Sequence, residues 1–181
     1  MWVDRNNLSN LFAKMNLFSY ETGGLLLGRD SSISAFIFDE GVRGEDADEY
    51  IPNTEYLNEI LHRYQSEEYE LYGMIHSHRT REELSCADTH YARSLLRLNE
   101  LDDILMPVYV LDSQNVFWYQ VTMSDIKKLI ISEEGNLMEK QEKNMKEVII
   151  PEGKCCAYTC GDCGYSDIDE KDRNGKIWCS A

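Results

Sequence analysis

A pair of histidines at the end of an apolar run constrains the fold of this chain more than any other feature. Residues 70–75 read Glu-Leu-Tyr-Gly-Met-Ile, which is typical of a buried strand, and His76 and His78 follow directly. Side chains two residues apart on a strand point to the same face of the sheet. The pattern therefore predicts that both imidazoles are directed at one point beside an apolar core.

An acidic residue further along completes a candidate ligand set. Asp88 stands near the start of a predicted helix over residues 86–99, and Ser85 precedes it by three positions. Two histidines and one carboxylate, with a fourth position left for water, form the ligand set of a catalytic zinc. The spacing of Ser85 and Asp88 is also that of a helix capping box. The two roles are compatible, because a capped helix start fixes the direction of Asp88.

A third part of the pattern lies upstream, where Glu21 precedes Gly23, Gly24 and an apolar strand. With this glutamate, the chain resembles the JAMM metallopeptidases, also called the JAB or MPN+ family. In that family a glutamate before a glycine-rich strand is followed by His-x-His, a spacer and Ser-x-x-Asp. The resemblance covers roughly residues 5 to 121.

The resemblance implies a role for each residue of the motif. His76, His78 and Asp88 would bind the catalytic zinc, which lowers the pKa of its water and polarises the scissile carbonyl. Glu21 would be the general base that takes a proton from this water and passes it to the leaving amine. Ser85 would hydrogen-bond the oxyanion of the tetrahedral intermediate.

The chain departs from the family pattern in the spacer. Arg79 follows the second histidine, where the family usually has proline, and residues 79–84 make the spacer one residue shorter than usual. Loops tolerate such deletions, and all five chemical positions are filled. We therefore predict an active enzyme whose loop near the substrate differs from that of its relatives.

The resemblance also implies a substrate class. It indicates a zinc-dependent isopeptidase or peptidase that hydrolyses an amide at the C-terminal glycine of a ubiquitin-like modifier or a sulfur-carrier protein. Deconjugation of a modifier and maturation of a sulfur carrier use the same chemistry, and both remain open. The alternative is a non-catalytic scaffold or adaptor of the same fold, since the family contains inactive members.

Composition restricts the partners and the compartment. The 181 residues carry a formal net charge of −15, which argues against nucleic acid, since phosphate binding needs clustered Lys and Arg. The acidic balance also suits an anionic membrane poorly, and no apolar run is long enough to span a bilayer. The N-terminus lacks the apolar region of a secretory signal. We therefore expect a cytoplasmic protein whose cysteines are reduced unless they bind metal.

The apolar pattern along the chain predicts an α/β fold, a mixed sheet flanked by helices. This agrees with the JAB/MPN, cytidine-deaminase-like fold that the resemblance implies. Residues 39–53 are interpreted as a solvated acidic loop, or as a loop at the cleft that meets a basic partner.

The predicted helices cover residues 8–20, 54–67 (with Thr54 as N-cap), 86–99 and 124–132. The predicted strands cover residues 23–28, 33–38, 71–78, 104–111 and 116–121. The predicted units are a catalytic domain over 1–122, a helical or linker region over 123–151 and a cysteine-rich tail over 152–181.

The tail holds five of the six cysteines. Its Cys-Gly-Asp-Cys-Gly turn at residues 160–164 is typical of a metal knuckle, and a small segment with few large apolar residues needs a staple. We predict a second, structural zinc in a four-thiolate site, with rubredoxin-type iron as the alternative metal. A disordered tail with free thiols, or one with disulfides, remains open. The predicted ligands are Cys156, Cys160, Cys163 and Cys179, with Cys155 in place of Cys156 as the alternative.

Overall fold

The computed structural model describes residues 1–42, 49–132, 134–139, 166–171 and 177–179. These residues form three helices, which are α1 (Arg5–Met15), α2 (Thr54–Gln65) and α3 (Cys86–Asn99). The strands, in chain order, are β1 (Trp2–Val3), β2 (Gly23–Arg29), β3 (Ser32–Asp39), β4 (Glu70–His78), β5 (Asp103–Leu105), β6 (Val108–Val110), β7 (Asn115–Thr122), β8 (Ile126–Ile131), β9 (Leu137–Glu139), β10 (Ser166–Lys171) and β11 (Ile177–Cys179).

Nine of these strands form one mixed sheet, which confirms the predicted fold class. The strand order is β1-β3-β2-β4-β5-β7-β8-β9, and β6 pairs with both β4 and β7. β2 and β3, the strands predicted over residues 23–28 and 33–38, pair as an antiparallel hairpin, and β4 runs antiparallel to β2. On its other side, β4 is parallel to β5 and β6. The strand that ends in the two histidines is therefore central to the sheet.

The helices cover the two faces of this sheet, and the strand residues alternate between them. On one face, α1 packs on a cluster that includes Leu26 and Ile75. On the other face, α2 and α3 pack on a cluster that includes Leu25 and Met74. Because side chains alternate along a strand, His76 and His78 share the face of Met74. The histidines therefore point to the side of the sheet on which α3 lies.

The two ends of the sheet approach each other around α1. The backbone N–H of Val3 donates to the carbonyl of Gly135 at 2.9 Å, and that of Leu137 donates to the carbonyl of Met1 at 2.8 Å. Asp4 then caps α1 by accepting from the N–H groups of Asn6 and Asn7. The first residues of the chain thus connect the β3 edge of the sheet to its last strands.

The strand predicted over residues 104–111 is wrong as a single element, since the structure has two short strands there. Pro107 separates β5 from β6. Proline has no N–H to donate to a ladder, and here its carbonyl accepts from the N–H of His76 at 3.3 Å. The interruption moves the chain from one position beside β4 to the next, and it lies level with the first histidine.

The helix predicted over residues 124–132 is also wrong, because residues 126–131 form β8, which pairs with β7. Leu129 is buried in the same core cluster as Trp118 and α1. The period-two burial of a strand, with Leu129 inside and Ile130 outside, was hidden by the short length of the segment. A catalytic unit that ends at residue 122 would leave out β8 and β9, which also lie within the predicted helical or linker region.

The bounds of α1 and α2 differ from the predictions, because α1 begins at Arg5 rather than at residue 8 and α2 ends at Gln65 rather than at residue 67. α1 ends at Met15, not at Tyr20, and Leu17 is 80% exposed. Phe18 continues the apolar period but stacks on Phe38 outside the helix. The N-cap of α2 is Asn53, not Thr54, because the side chain of Asn53 accepts from the N–H of Tyr56.

The tail is described only in part. β10 and β11 pair in antiparallel fashion and form a separate two-stranded sheet. Four of the cysteines lie outside the described residues, and the structure describes only the backbone of Cys179. The second metal site therefore stays a prediction. Across the described ranges, no helix has the length and apolar character that crossing a bilayer requires.

Candidate metal centre

The two histidines meet at the C-terminal end of β4. His76 is 5% exposed and His78 is 3% exposed. Their Nε2 atoms lie 2.9 Å apart, and the rings meet nearly edge to face. The strand period thus brings both imidazoles to one point, as expected from residues two apart on one face.

Asp88 faces this point from the first turn of α3. Its Oδ1 lies 3.3 Å from Nε2 of His76, and its Oδ2 lies 3.4 Å from Nε2 of His78. The capping box is present, since the Asp88 N–H donates to Oγ of Ser85 and the Ser85 N–H donates to Oδ2 of Asp88. The capping interaction therefore directs the carboxylate at the histidines, so that both interpretations of the Ser-x-x-Asp spacing hold in one geometry.

The spacing of these three residues fits a small cation. Ligands bound to a tetrahedral zinc at about 2.0–2.1 Å lie about 3.3 Å from one another. In the structure, the two Nε2 atoms lie 2.9 Å apart, and the two oxygens of Asp88 lie 3.3 and 3.4 Å from one Nε2 each, which is close to that value. Among the described residues, His76, His78 and Asp88 form a group that could hold a metal ion.

A main-chain contact determines which nitrogen of His78 is left for a metal. Nδ1 of His78 lies 3.1 Å from the carbonyl oxygen of Arg81. A carbonyl can only accept, so Nδ1 carries a proton, and Nε2 is the nitrogen that can bind a cation. Nε2 faces the carboxylate of Asp88. A cation bound there would take the place of an Nε2 proton, and histidine ligands are commonly oriented in this way.

Asp88 remains anionic in this environment. Burial alone would raise the pKa of its carboxyl group, but hydrogen bonds from His76 and His78, and then from Ser85, hold the pKa well below its usual range. The centre thus combines one negative charge with two imidazoles, which is a donor set of the kind that zinc prefers.

Glu21 lies beside the centre, on the residues that lead into β2. Burial raises the pKa of its carboxyl group, while the charge of His78 and the N–H of Tyr50 oppose that rise. The N–H of Tyr50 donates to Oε2 of Glu21 at 3.3 Å. A carboxylate with a raised pKa is a stronger proton acceptor than an ordinary glutamate, which suits a general base.

Tyr50 is itself held by a buried acid. Its hydroxyl donates to Oδ2 of Asp39 at 2.8 Å, and Asp39 is 4% exposed. A side chain at Gly23 would place its Cβ 2.3 Å from the Tyr50 ring, so only glycine leaves room for that ring. The interpretation of residues 39–53 as a solvated acidic loop is therefore wrong for Asp39, and residues 43–48 lie outside the described residues.

Ser77, between the two histidines, fixes the residue that follows Glu21. Its Oγ accepts from the N–H of Thr22 at 2.9 Å, and its own N–H donates to the Thr22 carbonyl at 2.7 Å. Ser77 points to the face opposite the histidines, because side chains alternate along the strand. One three-residue segment of β4 thus places two candidate ligands on one face and anchors the approach of Glu21 from the neighbouring strand.

The hydroxyl of Ser85 keeps a proton to donate. It accepts from the Asp88 N–H at 3.0 Å, and a hydroxyl that accepts one bond still has its own hydrogen.

Sequence reasoning identified Ser85 and Glu21 but missed Tyr50, Asp39 and Ser77. Of these, only Ser77 carries a local signal, since it stands between the two histidines.

Comparisons with known proteins give a likeness of fold. No protein-family model matches the sequence, and no curated protein matches it. The solution structure of protein DSY2949 from Desulfitobacterium hafniense matches with a TM-score of 0.51 and 16% identity, over 70% of this chain and 87% of that one. The crystal structure of AF2198, a JAB1/MPN domain protein from Archaeoglobus fulgidus, matches with a TM-score of 0.41 and 16% identity, over 77% of this chain and 95% of that one. The first likeness concerns the fold alone, and the second is too weak to support an inference.

Proposed function

We propose that this chain is a zinc-dependent hydrolase of amide bonds, an isopeptidase or peptidase of the JAMM type. The observation that carries the proposal is the convergence of two imidazoles and one carboxylate. The Nε2 atoms of His76 and His78 lie 2.9 Å apart, and each lies within 3.4 Å of an oxygen of Asp88. The presence of Glu21 beside them supports a catalytic role for the centre. The order of the motif along the sequence adds to this support.

Each side chain has a chemical role in the proposal. When bound by His76, His78 and Asp88, zinc would supply Lewis acidity toward water and toward the scissile carbonyl. Glu21 would take up a proton at a carboxylate oxygen as water attacks, and would return it to the departing amine. Ser85 would donate its hydroxyl hydrogen to the oxygen that becomes negative, a contact worth about 3 kcal/mol in the transition state.

We further propose that the bond hydrolysed follows the C-terminal glycine of a ubiquitin-like modifier or a sulfur-carrier protein. The support for this substrate class is the resemblance of the sequence motif to the JAMM family. A substrate of this kind presents an extended, flexible tail, which suits a centre whose two histidines are buried.

The direct test is the substitution Glu21→Gln. Because the amide is nearly the size of the carboxylate but cannot take up the proton, we expect hydrolysis to fall by at least about 100-fold. We expect bound zinc to stay at the wild-type level, since Glu21 is outside the ligand group. The assay would use ubiquitin-like proteins and sulfur carriers that carry a fluorophore on the C-terminal glycine through an amide.

The matched control is Glu67→Gln, at an exposed position after α2, which should leave hydrolysis unchanged. Turnover that survives in Glu21→Gln would show that Glu21 is not the base. A wild-type chain that binds zinc at the centre but cleaves none of these substrates would favour the scaffold or adaptor alternative.

A further inference from the structure

The short loop between His78 and Ser85 is held by its main chain. The side chains of residues 79–83 are exposed, so their packing does not fix the path of the loop. Three carbonyl groups do so instead. That of Arg79 accepts from the Asp112 N–H at 3.1 Å, that of Arg81 lies 3.1 Å from Nδ1 of His78, and that of Glu82 accepts from the Tyr119 hydroxyl at 3.1 Å.

Tyr119 is a well-fixed donor for the last of these contacts. It lies on β7, is 6% exposed, and packs with Val108 and Val110 of β6 and with Leu84 at the end of the loop. Burial raises the pKa of its phenol to about 12, so the hydroxyl keeps its proton across the physiological range. The ring is held by packing, and its hydroxyl reaches the loop from the sheet.

A cation on the next strand supports the same point. Nζ of Lys128, on β8, lies 4.5 Å from the centre of the Phe117 ring and 5.8 Å from that of Tyr119. It also lies 3.9 Å from a carboxylate oxygen of Glu82. These groups are partly exposed, so the ion pair adds little by itself. Its position shows that β8 and the loop meet at Glu82.

The carbonyls of Arg81 and Glu82 belong to consecutive residues. Since peptide units are planar and only two torsions separate these carbonyls, fixing the direction of one restricts the other. We propose that Tyr119 is a positioning residue of the metal centre. Its hydroxyl holds the Glu82 carbonyl, which keeps the Arg81 carbonyl on Nδ1 of His78 and leaves Nε2 of His78 available to a metal.

The proposal rests on the proposed function in one respect, which is that the centre binds zinc. In this chain, a hydrogen bond from the sheet restrains the loop at Glu82.

The test is Tyr119→Phe, which removes the hydroxyl and keeps the ring. We expect zinc affinity at the centre to fall by about 10- to 100-fold, the usual cost of losing a group that orients a metal ligand. Affinity would be measured in the full chain by competition with a chromophoric chelator, and tail zinc would be separated by repeating the titration with His78→Ala. Nitrogen NMR of the metal-free protein would report which ring nitrogen of His78 carries the proton, and we expect a mixture in Tyr119→Phe.

Tyr109→Phe is the matched control. Tyr109 is 2% exposed on β6, and its hydroxyl bonds the Asn16 side chain, away from the loop. The variant Tyr109→Phe also loses one buried hydroxyl, so an equal loss of zinc affinity in both variants would overturn the proposal. Unchanged affinity and an unchanged His78 tautomer in Tyr119→Phe would also overturn it.

Two further measurements keep the outcomes distinct. If Tyr119→Phe does not fold, the wild-type spectrum decides, because His78 protonated mainly at Nε2 in the metal-free chain contradicts the proposal and protonation at Nδ1 supports it. If wild-type protein binds no zinc at this centre, the proposed function fails, whatever Tyr119 does. Zinc binding by the wild type with no effect of Tyr119→Phe leaves the function standing and removes only this inference.

Discussion

At the scale of single residues, main-chain groups near the centre hold its polar side chains in place. The Ser85 N–H holds Asp88, the Arg81 carbonyl holds His78, and the Tyr50 N–H holds Glu21. A backbone group that belongs to an ordered segment costs little entropy to place, so it orients a side chain more cheaply than a second flexible side chain does. The candidate base is therefore only as well placed as Tyr50 is.

This dependence gives a prediction for Tyr50→Phe. The variant loses the hydroxyl bond to Asp39, while Asp39 keeps its contacts with the N–H groups of Gly41 and Asn53. With Tyr50 less firmly held, we expect hydrolysis to fall roughly 10- to 100-fold through misplacement of Glu21. Zinc content should not change, because Glu21 is not in the ligand group.

The measurements are steady-state hydrolysis and bound zinc, beside a thermal melt that reports the loss of one hydrogen bond, about 1 kcal/mol. Tyr56→Phe, with an exposed ring on α2, serves as the control. Wild-type rates in Tyr50→Phe would mean that the Asp39 contact does not position the base.

At the scale of elements, β8 and β9 complete the core rather than extend it. Leu129 packs with Trp118 in the cluster around α1, and Leu137 packs against it. β9 also brings Leu137 to the first residues of the chain, through its bond to the Met1 carbonyl. These strands are therefore needed to bury Trp118 of β7 and to complete the core around α1.

Two truncated chains test whether the folded core ends at residue 122 or includes β8 and β9. A chain of residues 1–151 keeps β8 and β9, and we expect it to melt cooperatively near the temperature of the full chain. A chain of residues 1–122 would expose Trp118 and its neighbours, at a cost of about 25 cal/mol for each Å² of apolar surface left in water. We expect that chain to be aggregated or to lack a cooperative melt by circular dichroism, and equal melts for both truncated chains would contradict the structural role of β8.

At the scale of the whole molecule, the sequence indicates two metal sites, of which the described residues contain one candidate. We expect about two zinc ions per full chain and about one in residues 1–151, by elemental analysis after dialysis. His78→Ala in the full chain should also leave about one, because a lost ligand opens the centre. His62→Ala, at an exposed position on α2, should keep both.

Each possible number of zinc ions per chain leads to a different conclusion. One zinc in the full chain and none in residues 1–151 would place the metal in the tail alone and would favour the scaffold alternative. One zinc in both forms would mean that the cysteines bind no zinc, and the test would then turn to iron by its absorbance.

Much of the fold could be predicted because its patterns involve residues that are close together in the sequence. The central strand, the β2–β3 hairpin and the helix from Cys86 follow from apolar periods and from the cap at Ser85. The two wrongly predicted elements, the single strand over residues 104–111 and the helix over residues 124–132, both correspond to strands that are short. The residues around Pro107 and the short strand β8 have too few positions to define a period, and their pairing with β4 and β7 decides their structure.

By itself, the sequence determined the parts of the centre that depend on neighbouring residues. His76 and His78 share a face because a strand has a period of two, and Asp88 has its direction from a capping box that closes within four residues. Only the tertiary structure decided how these parts meet Glu21, Tyr50 and Tyr119. Contacts such as that of Tyr50 with Glu21, or of Tyr119 with Glu82, join residues 29 and 37 positions apart. No local pattern encodes such pairs, because their distance depends on how the strands pair and on what packs between them.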